Sequence, residues 1–223
     1  MKGAWGVAVT YPDGVPIFGA PAQATNGYEI CFKCHSSYTA LGGRPDDAAE
    51  FAPTNASLHS VSTASTSTVP AGTFVAGWTA SSILNCTDCH GDDGRTGAQA
   101  RGLHESASAP ILIAPYLGAS PADADLLCYD CHKYTVYGTG ADDAPTGMSF
   151  FQRTSPGIRL HSSHVASVAT GGHGLACSAC HVSHGSATNP HLLRDDIGFT
   201  STGADAGVCS NGCHSAPHSW PLP

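Results

Sequence analysis

Every cysteine in this chain belongs to a pair that ends in histidine, and no other feature limits the fold as strongly. Four pairs have CxxCH spacing: CFKCH at Cys31, Cys34 and His35; CTDCH at Cys86, Cys89 and His90; CYDCH at Cys128, Cys131 and His132; and CSACH at Cys177, Cys180 and His181. The fifth, CSNGCH, has one more residue between Cys209 and Cys213, then His214. Composition alone gives roughly 0.03 CxxCH matches in such a chain, so the repeat has a chemical cause. Zinc ribbons use cysteine pairs in twos and need no histidine after each pair, and five is odd. Disulfides or redox dithiols within each pair leave the histidines unexplained. Covalent haem accounts for all of them. Two thiols add across the two vinyl groups on one porphyrin edge, and the next histidine falls under the iron as proximal ligand. The ten cysteines are therefore expected as thioether anchors of five c-type haems, with His35, His90, His132, His181 and His214 on the irons.

Eight histidines remain: His59, His104, His161, His164, His173, His184, His191 and His218. Methionine, the other common sixth ligand, occurs only as Met1 and Met148, so bis-histidine ligation must dominate. Such irons are low-spin with no open position, which suits electron transfer. His184 follows His181 by three residues, too closely to reach the far face of the same porphyrin, so it is expected on a different haem. The same holds for His218 after His214, and His161 and His164 each need an iron of their own.

Several stretches resemble the multihaem cytochromes of metal-reducing bacteria, with an HxxH element shared with the cytochrome c3 group. They are GYEICFKCHSSY (27–38), FAPTNASLHSV (51–61), LHESASAPILIAPY (103–116), LCYDCHKY (127–134), LHSSHV (160–165), CSACHVSHGS (177–186) and the terminal CHSAPH. The resemblance implies distal ligands at His59, His104, His161, His164, His184 and His218. Six candidates for five irons leave one surplus. His173 in GGHG and His191 in NPHLL are read as polar loop residues.

Only 12% of residues are Asp, Glu, Lys or Arg, about half the usual ~25%, and Ala, Gly, Ser, Thr and Pro fill the difference. Many turns and few long amphipathic helices follow. The fold expected is mostly irregular coil with a few short helices, wrapped around a haem chain. Residues 1–26 read as a ligand-free N-terminal arm and 27–223 as a single pentahaem domain. Asn26 and Glu29 have the spacing of a capping box opening a helix through Cys31–His35. Ser120-Pro121 with Asp123 and Asp125 opens another over Leu126–Tyr137. Ser60–Gly77, Gly138–Gly147, Ala166–Gly174 and Gly198–Gly207 read as loops, with an ordered surface loop or short strand at Ser60–Thr68.

The net charge of −8 repels nucleic acid and anionic lipid, and no apolar run approaches the ~18 residues of a membrane span. The first residues do not form a signal peptide, so the sequence reads as a mature exported chain, extracellular or at the cell surface, with the periplasm as alternative. About ten haem propionates would join the chain's negative charge, against nine Lys and Arg, so divalent cations at propionates are expected. The leading function is an electron conduit. A subunit self-associating into an extracellular haem filament is favoured by the low charge and by an aromatic arm able to dock on a neighbour. A discrete electron shuttle, acting between redox partner proteins or extracellular acceptors, is the alternative. The rival is a multihaem reductase. Pentahaem nitrite reductases carry lysine in place of one motif histidine, but no CxxCK occurs here and the chain is much shorter than those enzymes.

Overall fold

In the computed structural model, the described residues are 4–39, 41, 43–65, 69, 72–92, 104, 106–115, 126–141, 160–166, 172–203, 206–210 and 218–220. Cys213, His214 and the expected helix start at Ser120–Asp125 lie outside them, as do parts of the expected 60–77, 138–147 and 166–174 loops. The chain is mostly coil, with helices of at most six residues and small antiparallel sheets among the described residues. No described helix is long and apolar enough to cross a membrane. Two units divide the chain: Met1–Ser67 with Ser81–Asp88 and Val182–Leu192, and Thr68–Ala80 with Cys89–His181 and Leu193–Pro223.

The first unit begins with four two-residue strands. Trp5–Gly6 (β1) pairs with Ala22–Gln23 (β4), and Val9–Thr10 (β2) with Ile17–Phe18 (β3). The segment expected as an arm is thus seated on the helix Gly27–Phe32 (α1). Val7 donates its N–H to the Glu29 carbonyl at 2.9 Å, and Gly6 permits the approach, since a Cβ there would lie 2.7 Å from the Glu29 backbone. Val7, Phe32, Ala48, Phe51 and Val61 make a small core, with Val9, Phe18, Tyr28, Leu84 and Cys86 against its edge. Val61 and Ser60 are buried, so the start of the Ser/Thr tract is interior rather than surface.

The entry to α1 differs from a reciprocal capping box. Asn26 has the extended backbone of an N-cap, but its side chain does not cap the helix. Instead the Glu29 carboxylate accepts from the Thr25 N–H at 2.8 Å, the Thr25 hydroxyl at 3.0 Å and the Asn26 amide at 2.9 Å. Burial pushes the Glu29 carboxyl up, yet these three donors outweigh it and hold it below its ordinary value. A second short helix, Asp47–Glu50 (α2), turns Ala48 into the core. Further on, Ser57–Leu58 (β5) pairs with Gly185–Ser186 (β6). The Ser57 hydroxyl ties the same segment down, donating to Asn189 O and accepting from Leu192 N–H, both at 2.7 Å.

In the second unit, the helix expected over Leu126–Tyr137 is two pieces: a 3-10 turn at Leu127–Asp130 and the helix Tyr134–Tyr137 (α3). The break has a cause. Val75 donates to the Cys131 carbonyl at 2.9 Å and Lys133 donates to the Thr73 carbonyl at 2.8 Å, which removes both groups from helical bonding. Leu160–Val165 (α4) packs against α3. The expected loop Gly198–Gly207 is instead the strand Phe199–Gly203 (β7) and the start of Ala206–Cys209 (β8). Glycine suggested a loop there, but the Phe199 ring lies over Gly207, where a Cβ would collide with it, and an aromatic cover of this kind stabilises a glycine within a sheet. His218–Trp220 (β9) completes the sheet order β7-β8-β9.

Replacing Glu29 with alanine should cost about 1 kcal/mol at pH 7, because the exposed Thr25 and Asn26 donors exchange their carboxylate acceptor for water. The folded carboxyl is held low, so its contribution is complete above the ordinary value near ~4.3 and is lost as pH falls through the folded value. Urea unfolding of both proteins at pH 7 and pH 3 checks this, with the gap expected to narrow in acid. An equal gap at both would mean that the charge of Glu29 is irrelevant.

Candidate haem-binding motifs

Three of the four CxxCH motifs fold the same way, from one carbonyl. The first cysteine's C=O accepts the N–H of the second cysteine and of the histidine: Cys31 from Cys34 (3.0 Å) and His35 (2.8 Å), Cys128 from Cys131 (3.4 Å) and His132 (2.8 Å), Cys177 from Cys180 (3.1 Å) and His181 (2.9 Å). The remaining one, Cys86–Asp88, is also a 3-10 turn. A turn this tight draws both cysteines and the histidine of a motif together, as thioether attachment requires.

Three motifs are also clipped to a short apolar segment elsewhere in the sequence. His90 bridges Leu112, His132 bridges Phe74, and His181 bridges Leu193, each antiparallel. In each case the second cysteine's carbonyl accepts from the residue after the partner: Ile113 at 3.0 Å, Val75 at 2.9 Å and Arg194 at 3.0 Å. The residue after the histidine donates back to the one before the partner: Gly91 to Ile111 at 3.1 Å, Lys133 to Thr73 at 2.8 Å and Val182 to Leu192 at 2.8 Å. Sequence reasoning missed these clips, whose signal is a small apolar triplet such as Ile111-Leu112-Ile113 or Thr73-Phe74-Val75.

None of the nine described cysteines is in a disulfide. The first cysteines of successive motifs do meet. In the first unit the Cys86 thiol hydrogen-bonds Cys31, holding Cys31 down at about 7 while Cys86 is pushed up by the same bond and by burial. In the second unit Cys128 stands in the same relation to Cys177, with Cys177 lowered and Cys128 raised.

The distal candidates fall in different places. His59 and His184 come together through β5 and β6, where the His59 N–H donates to the His184 carbonyl at 2.9 Å. The His59 ring Nδ1 lies 2.5 Å from Ser183 O, and burial lowers its pKa. His184 Nδ1 lies 2.7 Å from a Glu50 carboxylate oxygen. Burial alone would lower the His184 pKa, but the Glu50 hydrogen bond and charge raise it. Asp47, whose carboxyl is raised by burial, lies 3.8 Å from His35 Nδ1. His161 and His181 have ring centres 6.3 Å apart and planes within 17°, and Tyr137 meets the His161 ring edge-on at 5.2 Å. His164, on α4 with His161, has its ring 5.8 Å from that of His173. His104 is exposed. His218 is described for its backbone alone, which pairs in register with Cys209. His191 sits in a 3-10 turn at positive φ, the loop position expected of it.

These donors fit haem iron. A carbonyl or carboxylate partner obliges Nδ1 to carry the proton, which leaves the lone pair on Nε2, and metal-bound histidines are commonly held in this way. His59 and His184 meet that condition, and His90 Nδ1 does so against Ile111 O at 3.3 Å. His161 and His181, with ring centres 6.3 Å apart, would be close enough to hold one iron between them. Comparison with known proteins adds nothing further: no protein-family model, curated protein or solved structure matches this chain.

The paired thiols carry their own prediction for the haem-free chain. At pH 8 an alkylating reagent should label one cysteine of each close pair, Cys31 with Cys86 and Cys128 with Cys177, before the other, because the thiolate is the nucleophile. Peptide mass spectrometry of a time course reads the order, and equal rates within each pair would exclude the thiol–thiol hydrogen bond.

Proposed function

We propose that this protein carries electrons through five covalent bis-histidine c-type haems and works as a subunit of an extracellular haem filament. The observation that carries the reading is the repeated motif, four CxxCH and one CxxxCH using every cysteine. The shared motif turn and the histidines with Nδ1 tied to acceptors support it. His161 and His181 are assigned to one iron on their spacing, and His59, His104, His164, His184 and His218 compete for the others. Close first cysteines, Cys31 with Cys86 and Cys128 with Cys177, favour neighbouring attachment edges within each pair. Short separation between porphyrins is what electron hopping needs. Divalent cations at propionates remain part of the proposal, because nine Lys and Arg face 17 Asp and Glu before any propionate is added.

For the filament, the occupant of the contact surface is a second copy of this chain. Trp5 and Ile17 are 59% and 54% exposed on the β1–β4 and β2–β3 pairs, and Val15, in the connection from β2 to β3, is 60% exposed. Deleting residues 1–26 would be a poor test, since it removes Val7 from the core. Trp5→Ser with Ile17→Ser leaves that core intact. The double variant should keep its haems and lose most of its filaments in negative-stain micrographs. A wild-type protein that stays monomeric at high concentration would leave the discrete shuttle.

Haem content decides the larger claim. The denatured protein should stay coloured and show a mass excess of five haem groups, whereas four would mean that the Cys209–His214 site is unused. All irons should be low-spin, and His161→Ala should convert one of the five to high-spin. A sizeable high-spin signal in the wild type, or rapid binding of cyanide or carbon monoxide, would favour the reductase reading.

A further inference from the structure

The sequence gives His184 a glycine neighbour, and the structure explains it. Gly185 opens β6 against the end of α2, and any Cβ on it would overlap the Glu50 carbonyl oxygen. Glycine therefore lets β6 lie directly on α2, and the contact delivers the His184 ring to the Glu50 side chain at 2.7 Å. Asn55 fastens the same turn, its amide donating to the Ala49 and Glu50 carbonyls at 3.1 and 2.7 Å. Phe51, next along the chain, packs its ring 4.9 Å from that of His184. The imidazole is thus held by an anionic acceptor and an aromatic wall, both from α2 or its immediate end.

We propose that Glu50 is a positioning residue for His184 as a haem ligand, with Gly185 as the residue that lets it reach. The inference rests on the haem reading above. The Glu50 carboxylate takes the Nδ1 hydrogen bond, fixes Nε2 as the iron-binding nitrogen and makes the imidazole more basic. A more basic ligand stabilises ferric over ferrous iron, so the haem served by His184 has a lower potential than the same haem without the carboxylate. Asp47, Glu50 and His184 also offer ligand atoms within 4.8 Å of one another. A cation bound through Nδ1 would displace the proton shared between His184 and the Glu50 carboxylate at 2.7 Å. The trio is therefore read as a ligand with its support.

The test is a stepwise reductive titration of the full haem-loaded protein with spectroscopic resolution of the haems. Glu50→Gln keeps the shape and a neutral acceptor but removes the charge. One haem of five should move by about tenfold in its ferric–ferrous equilibrium, about 59 mV upward for a one-electron couple, with its iron still six-coordinate. Gly185→Ala should shift the same haem in the same direction by separating β6 from α2. Asn55→Ala loosens the same turn without touching the ring, and should leave all five potentials in place. His184→Ala should make one iron high-spin. Should Glu50→Gln titrate like the wild type with all five haems present, the inference fails and the haem reading stands. The inference also fails if Asn55→Ala shifts the haem as much, since Glu50 would then act only through packing, or if His184→Ala leaves every iron low-spin. A protein that holds no covalent haem ends the proposed function itself.

Discussion

One backbone carbonyl organises each of three motifs. The C=O of Cys31, Cys128 or Cys177 takes two N–H groups, the second from the motif histidine, and this fixes cysteine, cysteine and histidine in one turn. The bond to the histidine is local and an ordinary helical one, between residues four apart in sequence. Where a clip takes the second cysteine's carbonyl the helix is not continued, which is one reason helices here are short. Buried backbone polar groups must be paired. The motifs at Cys128 and Cys177 answer this twice, first with their own turn and then with the antiparallel clip that the second cysteine's carbonyl makes to a distant triplet.

A chain held this way has little apolar core of its own. In the first unit five buried residues make the cluster around Phe32 and Phe51, each contributing about 1.5–3 kcal/mol when fully removed from water, and less for alanine. The two-residue strands β1 to β6 add few ladder bonds. On the haem reading the apolar mass comes from macrocycles, and the polypeptide's task is to set cysteines and histidines at spacings a porphyrin accepts. The backbone approaches at Gly6 and Gly185 serve that task, since each brings a strand against a helix with no room for a side chain.

The motifs themselves were legible, because their information lies in five or six adjacent residues. The loop-rich fold followed from composition for the same local reason. What pairs with what did not follow. The clips at Phe74, Leu112 and Leu193 join segments far apart in sequence, and each partner is an ordinary apolar residue with no mark of its own. The break between Leu127–Asp130 and α3 was hidden because the groups that interrupt the helix belong to residues 73–75. The hairpin at Phe199–Cys209 was hidden because its glycine reads as a loop until a ring is found lying over it. Among the histidines, sequence placed His161 and His184 as ligands, but their partners, His181 across a 6.3 Å gap and the Glu50 carboxylate, are tertiary facts.

Charge connects these observations. The chain holds 17 acidic residues and nine Lys and Arg, so acceptors for histidine N–H groups are easier to place than cations. Helix α2 uses two of them within four residues, Asp47 beside His35 and Glu50 on His184. Asp47 also acts on His184 electrostatically, so the two histidines do not have independent surroundings. One carries the iron of the first motif on the haem reading, and the other serves a different site. On the haem reading, a change of charge at either iron would act on the other through the same pair of carboxylates, which lie in a single turn of helix.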